Sequence, residues 1–102
     1  MELMLLGERY PAEQALQDGL IARMVDDDEV IETAMKYADK LAKGPSKALA
    51  MIRKSAWAAL DSSFEDQLKL ERKLQKTAGL TQDFKEGVAA FREKRKPNFT
   101  GK

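Results

Sequence analysis

Val30, Ala34, Tyr37 and Leu41 return at intervals of three and four residues, and Ile31, Met35, Ala38 and Ala42 widen the same side. Only a chain winding at 3.6 residues per turn gathers such positions into one stripe. The pattern recurs in Leu49, Ile52, Ala56 and Leu60, in Leu68, Leu70 and Leu74, and in Phe84, Val88 and Phe91. The punctuation between these blocks is that of helix ends. Gly44 suits a C-cap and Pro45 the first turn of a helix running to about Leu60. Ser63 with Asp66 is patterned as a capping box with Asp in place of the usual Glu, Gly79 is a stop, and Thr81 is an N-cap. Upstream, "PAEQALQDG" reads as a short helix with Pro11 in its first turn and Gly19 as its stop, and "MELMLL" reads as the last turns of a buried helix ending at Gly7. Only "LIARMV" has strand character, and Asp26, Asp27 and Asp28 after it offer capping oxygens to the next helix. The expected fold is all-α, a small orthogonal helical bundle in which residues 1–102 form a single domain with a modest core.

The inventory of reactive groups is short. Neither cysteine nor histidine occurs, which removes disulfides, thiol nucleophiles, the usual zinc sites and the commonest neutral-pH general base. Eighteen basic residues stand against 17 acidic ones, so no overall charge favours nucleic acid. No apolar run approaches the roughly 20 residues that cross a bilayer, and "MELMLLGERYPAEQ" has no basic leader or cleavage site, so a cytoplasmic protein without membrane partners is expected. The aspartate triplet lacks the spaced oxygens and glycine of a calcium loop, and no metal site is expected. Glu65, Asp66 and Glu71 lie among Lys69, Arg72, Lys73 and Lys76 at ion-pair spacings, which reads as a solvated face and not as catalytic carboxylates. Trp57 and Tyr37 are assigned to a core or an interface, and the scattered glycines build no phosphate-cradling loop.

One stretch admits two readings. In "DFKEGVAAFREKRKPNFTGK" an apolar helix turns into a run of cations and meets a proline. A cationic last turn suits the negative end of the helix dipole. Equally, Phe91, Lys94 and Arg95 fall within about one turn, placing a ring beside cations as a purine and its phosphates would require.

The order of "PAEQALQDGLI", "KGPSKAL" and "EGVAAFREKRKPNFTG" resembles the C-terminal part of the crotonase, or enoyl-CoA hydratase/isomerase, superfamily, over essentially the whole chain. "LERKLQ" and "AGLTQDFKEG" are similar to its phenylacetate-degrading, epoxide-isomerising branch. The resemblance implies an acyl-CoA thioester substrate, with coenzyme A entering as part of that substrate and no tightly bound cofactor. It implies that Phe91 and Lys94 meet the adenosine-phosphate end of coenzyme A. It also implies homo-oligomers, trimers or hexamers when intact, and a role in fatty acid or phenylacetate catabolism. The oxyanion hole and proton-moving acid of the superfamily belong to an N-terminal βαβ spiral that precedes the point matching Met1. No catalytic residue is therefore implied here, and the chain alone is expected to be inactive. The alternative is a stand-alone helical interaction module without catalysis.

Overall fold

The computed structural model describes residues 2–102, and among them every regular element is helical. In order these are α1 (Glu2–Leu6), α2 (Ala12–Gln17), a 3-10 turn at Asp27–Glu29, α3 (Val30–Ala42), α4 (Ser46–Ala58), α5 (Phe64–Gly79) and α6 (Gln82–Arg92). The chain divides into two compact units, residues 1–35 and residues 36–102. The expected all-α class holds, but "LIARMV" forms no strand: it runs through bends and irregular backbone. A lone strand has nothing to pair with, so its β-branched residues cannot override the absence of a ladder partner.

In the first unit, α2 ends in a paired-bond cap. Gly19 takes φ of +72°, its N–H donates to Leu16 O at 3.2 Å, and the Leu20 N–H donates to Ala15 O at 2.8 Å. Those are the two bonds of a Schellman cap, whose left-handed position glycine occupies without a Cβ clash. Ala15 is buried beneath it. Gln14 Nε2 donates to Asp18 Oδ2 at 2.9 Å, and Tyr10 also donates its hydroxyl proton to that oxygen. These two donors, Tyr10 first, hold the Asp18 carboxyl below its ordinary range.

In the second unit α4 packs on α5 and α5 on α6. Ser63 caps α5 by accepting the Asp66 N–H at 3.2 Å, while its own hydroxyl donates to Asp66 Oδ2 at 2.8 Å. Aspartate is too short to reach back to the Ser63 N–H, so the box closes through the hydroxyl. Thr81 caps α6 by accepting the Phe84 N–H at 3.1 Å. Two expectations about helix starts are corrected. Pro11, extended with ψ of 148°, and Pro45, with a non-helical ψ of 86°, are N-cap residues, one position before the first helical turn. The aspartate triplet supplies no side-chain cap: Asp26 precedes the 3-10 turn without such a bond.

The modest core expected from composition is also corrected. Ala15 and Ala90 are the buried apolar residues among those described, and Asp83 is the buried charged one. Trp57 is 65% exposed, and Ile52, Leu60, Phe64 and Phe91 are open to solvent. The apolar stripes are present and the main packing is α4 on α5 and α5 on α6, but Ile52, Trp57, Phe64, Leu68, Phe84 and Phe91 stay exposed, so each of these helices keeps an uncovered face.

Candidate functional site

The α6 terminus is built by its own last turn and by a tail that returns along the helix. The Glu93 N–H donates to Ala89 O at 2.9 Å, the Lys94 N–H to Phe91 O at 3.3 Å, and the Arg95 N–H to Ala90 O at 3.0 Å. The last two repeat the cap that closes α2, with Lys94 at the position of Gly19. Lys94 accordingly holds φ of +54°, the only left-handed non-glycine residue among those described. An L-residue with a Cβ pays about 1–2 kcal/mol for that conformation, so the turn must be held by its surroundings.

Glu86 and Arg95 provide the hold. Arg95 Nη1 donates to Glu86 Oε1 at 2.6 Å and Arg95 Nη2 to Glu86 Oε2 at 3.0 Å, a forked pair. Arg95 Nε donates to Glu93 Oε2 at 2.6 Å, and the Asn98 N–H adds a bond to Glu86 Oε1 at 2.7 Å. The Arg95 fork, and after it the Asn98 N–H, pulls the Glu86 carboxyl down from 4.5 to about 2. Arg95 is raised in return, chiefly by Glu86 and then by Glu93. The cations at this end thus separate into two kinds. Arg95 is consumed by carboxylates, whereas Lys94 and Lys96 have no carboxylate partner among the described residues.

Beyond Asn98 the tail is strapped to the start of α6. Asp83 is 4% exposed, and its Oδ1 and Oδ2 accept the Thr100 N–H at 2.7 Å and the Gly101 N–H at 2.9 Å. Its own N–H donates to Lys102 O at 3.0 Å. Gly101 has φ of +77°, and a Cβ there would lie 2.7 Å from Ser46 Oγ, so the strap reaches α4 as well. Phe99 lies over Gly87, where a methyl group would meet its ring at 3.6 Å. Pro45, Ala48, Phe84, Val88, Phe91 and Phe99 line an open apolar groove of about 370 Å³ beside this end of α6.

Of the residues singled out from sequence, Phe91 is 86% exposed and is joined to Lys94 through the last-turn bond, so ring and ammonium belong to one exposed helix end. Asp83 and Glu86 carry no motif of their own; "DFKEG" signalled only an acidic first turn. No group of three or more metal-ligating side chains occurs among the described residues, and no described helix is long and apolar enough to cross a membrane.

The enoyl-CoA hydratase/isomerase family model matches residues 1–102. The chain belongs to the enoyl-CoA hydratase/isomerase family. It is 43% identical over 102 residues to the 1,2-epoxyphenylacetyl-CoA isomerase of Escherichia coli, spanning 39% of that protein. It is 33% identical over 101 residues to the trans-2-decenoyl-acyl-carrier-protein isomerase of Streptococcus mutans, spanning 38% of it. Among solved structures, the enoyl-CoA hydratase subunit I of Geobacillus kaustophilus matches at a TM-score of 0.92 and 38% identity, over 99% of this chain and 39% of that one. The chain thus spans about two fifths of the length of these relatives.

Proposed function

We propose that this chain is the helical part of an enoyl-CoA hydratase/isomerase that completes an acyl-CoA site, with Phe91 and Lys94 receiving the adenosine-phosphate end of coenzyme A. The observation that carries the reading is the α6 terminus: Phe91, 86% exposed, accepts at its backbone carbonyl the N–H of Lys94, a lysine held in a left-handed turn with no carboxylate partner among the described residues. An exposed ring offers a face to a purine, and a solvated ammonium offers a point charge to a phosphate. In this reading coenzyme A arrives as part of the thioester and no other cofactor is held. The thioester chemistry is supplied outside these residues, since an enolate needs oriented N–H donors and a proton-moving acid, and the described residues present no paired catalytic carboxylates.

The open apolar faces of α4, α5 and α6 fit a helical layer covered in the assembled enzyme, both by the rest of the fold and by neighbouring copies in a trimer or hexamer. The 43% identity to the Escherichia coli 1,2-epoxyphenylacetyl-CoA isomerase favours a place in phenylacetate catabolism.

The test is binding of coenzyme A and of pantetheine, which lacks the nucleotide, to the chain and to Lys94→Ala. Coenzyme A should weaken about fivefold, the effect of one solvent-exposed ion pair, with less loss at high salt. Pantetheine should be unaffected. Equal affinities of wild type and Lys94→Ala for coenzyme A would sink the reading and favour a carrier-protein thioester, which brings no adenosine phosphate.

A further inference from the structure

Lys94 alone does not explain why its ammonium is presented where it is. The backbone that carries it is in a conformation that lysine resists, and the equivalent position at the end of α2 is taken by Gly19, at φ of +72°. What distinguishes the α6 terminus is the cluster that brackets Lys94 in the chain. Glu93 on one side and Arg95 on the other are joined by the Arg95 Nε bond at 2.6 Å. Arg95 is also forked onto Glu86, two turns back along α6, and Glu86 holds the Asn98 N–H as well. The cluster ties the residue after Lys94 and the tail beyond Pro97 to the body of the helix.

We propose that Glu86 and Arg95 are positioning residues for the nucleotide end of the ligand: their forked pair fixes the left-handed turn at Lys94 and thereby presents the ammonium beside Phe91. The inference rests on the proposed coenzyme A reading and deepens it. It assigns Arg95, the residue whose charge would most simply be read as a phosphate anchor, to the scaffold instead. Four bonds from its guanidinium run to Glu86, Glu93 and the Lys96 carbonyl, at 3.3 Å for the last.

Charge and positioning predict opposite signs. Glu86→Gln removes a negative charge from a cationic helix end and frees Arg95, and simple electrostatics then expects tighter binding of an anion. Loss of positioning expects weaker binding. Arg95→Lys keeps the charge and removes the fork, so any change it produces is geometric.

The experiment is titration of the chain with coenzyme A and with pantetheine, read by calorimetry and by NMR shifts of Lys94 and Phe91. Lys94→Ala, Glu86→Gln, Arg95→Lys and the Glu86→Gln/Lys94→Ala double variant are compared, with amide exchange in α6 confirming that the helix persists. Glu86→Gln and Arg95→Lys should each weaken coenzyme A about threefold to fivefold, comparable to loss of one exposed phosphate contact, and leave pantetheine unchanged. The double variant should bind no more weakly than Lys94→Ala, because an anchor already absent cannot be misplaced. Unchanged or tighter binding by Glu86→Gln and Arg95→Lys, with Lys94→Ala still weakened, overturns the positioning role and leaves the coenzyme A reading standing. Additive losses in the double variant also overturn it. No effect of Lys94→Ala overturns the reading beneath both.

Discussion

Asp83 is the residue whose replacement tests the tail strap most directly. Its carboxylate is 4% exposed and accepts the Thr100 and Gly101 N–H groups at 2.7 and 2.9 Å. Asp83→Asn is nearly isosteric, but only one of its two terminal atoms can accept. One charge-assisted bond, worth about 1.5–3 kcal/mol, is lost, and the other becomes a neutral bond of about 0.5–1.5 kcal/mol. The new amide also points a donor at a donor. Some of the loss is recovered as the tail moves and its N–H groups meet water, since Thr100 is exposed. A net local cost of about 2 kcal/mol remains, which corresponds to roughly 30-fold faster opening. The assay is hydrogen exchange of the Thr100 and Gly101 amides. The helix itself should persist, because Thr81 still caps it, so helical circular dichroism should hold while the tail amides exchange faster. Exchange at Thr100 and Gly101 within a factor of two of wild type would show that the carboxylate does not hold the tail.

Lys94→Gly should stabilise the last turn of α6 by about 0.5–1 kcal/mol, the strain of a left-handed Cβ less the entropy glycine adds to the unfolded chain, measured by exchange of the Arg95 amide; a loss of protection would refute the strain argument. The Glu86 carboxyl should titrate near pH 2 in its NMR shift. Because its folded value lies below the ordinary 4.5, the contribution of its pair with Arg95 is present above about pH 4.5 and disappears as the pH falls through about 2. A midpoint near 4.5 would show that the fork does not persist in solution. Gly87→Ala should be tolerated or mildly stabilising, since the new methyl meets Phe99 at an ordinary 3.6 Å, whereas Gly101→Ala should loosen the tail, because it combines φ of +77° with a 2.7 Å approach to Ser46 Oγ; tail amide exchange ranks the two. The open apolar faces should drive concentration-dependent self-association, and sedimentation as a monomer at high micromolar concentration would count against it.

The local structure of this chain was legible in its sequence because helices are specified over a few residues. The stripes of α3 to α6, the caps at Ser63 and Thr81 and the stop at Gly19 all involve partners within five positions, and each appeared near where the residues placed it. The misplaced details were local competitions with narrow margins: Pro11 and Pro45 one step outside their helices, and a β-branched stretch with no neighbour to pair with. The order of the three family phrases likewise sufficed for membership. What the tertiary structure decided is of another kind. Asp83 reaches Thr100 and Gly101, 17 and 18 residues on, and Glu86 reaches Arg95 and Asn98, nine and 12 residues on. In the Asp83 and Asn98 contacts the partner is a backbone N–H, which every residue except proline carries and which leaves no mark in a sequence. The engagement of Arg95 by Glu86 and Glu93, the left-handed turn at Lys94 and the uncovered faces of helices that periodicity alone would bury all follow from how the chain folds back on itself. Periodicity reports which side of a helix seeks a partner, and only the packed structure reports whether one has been found.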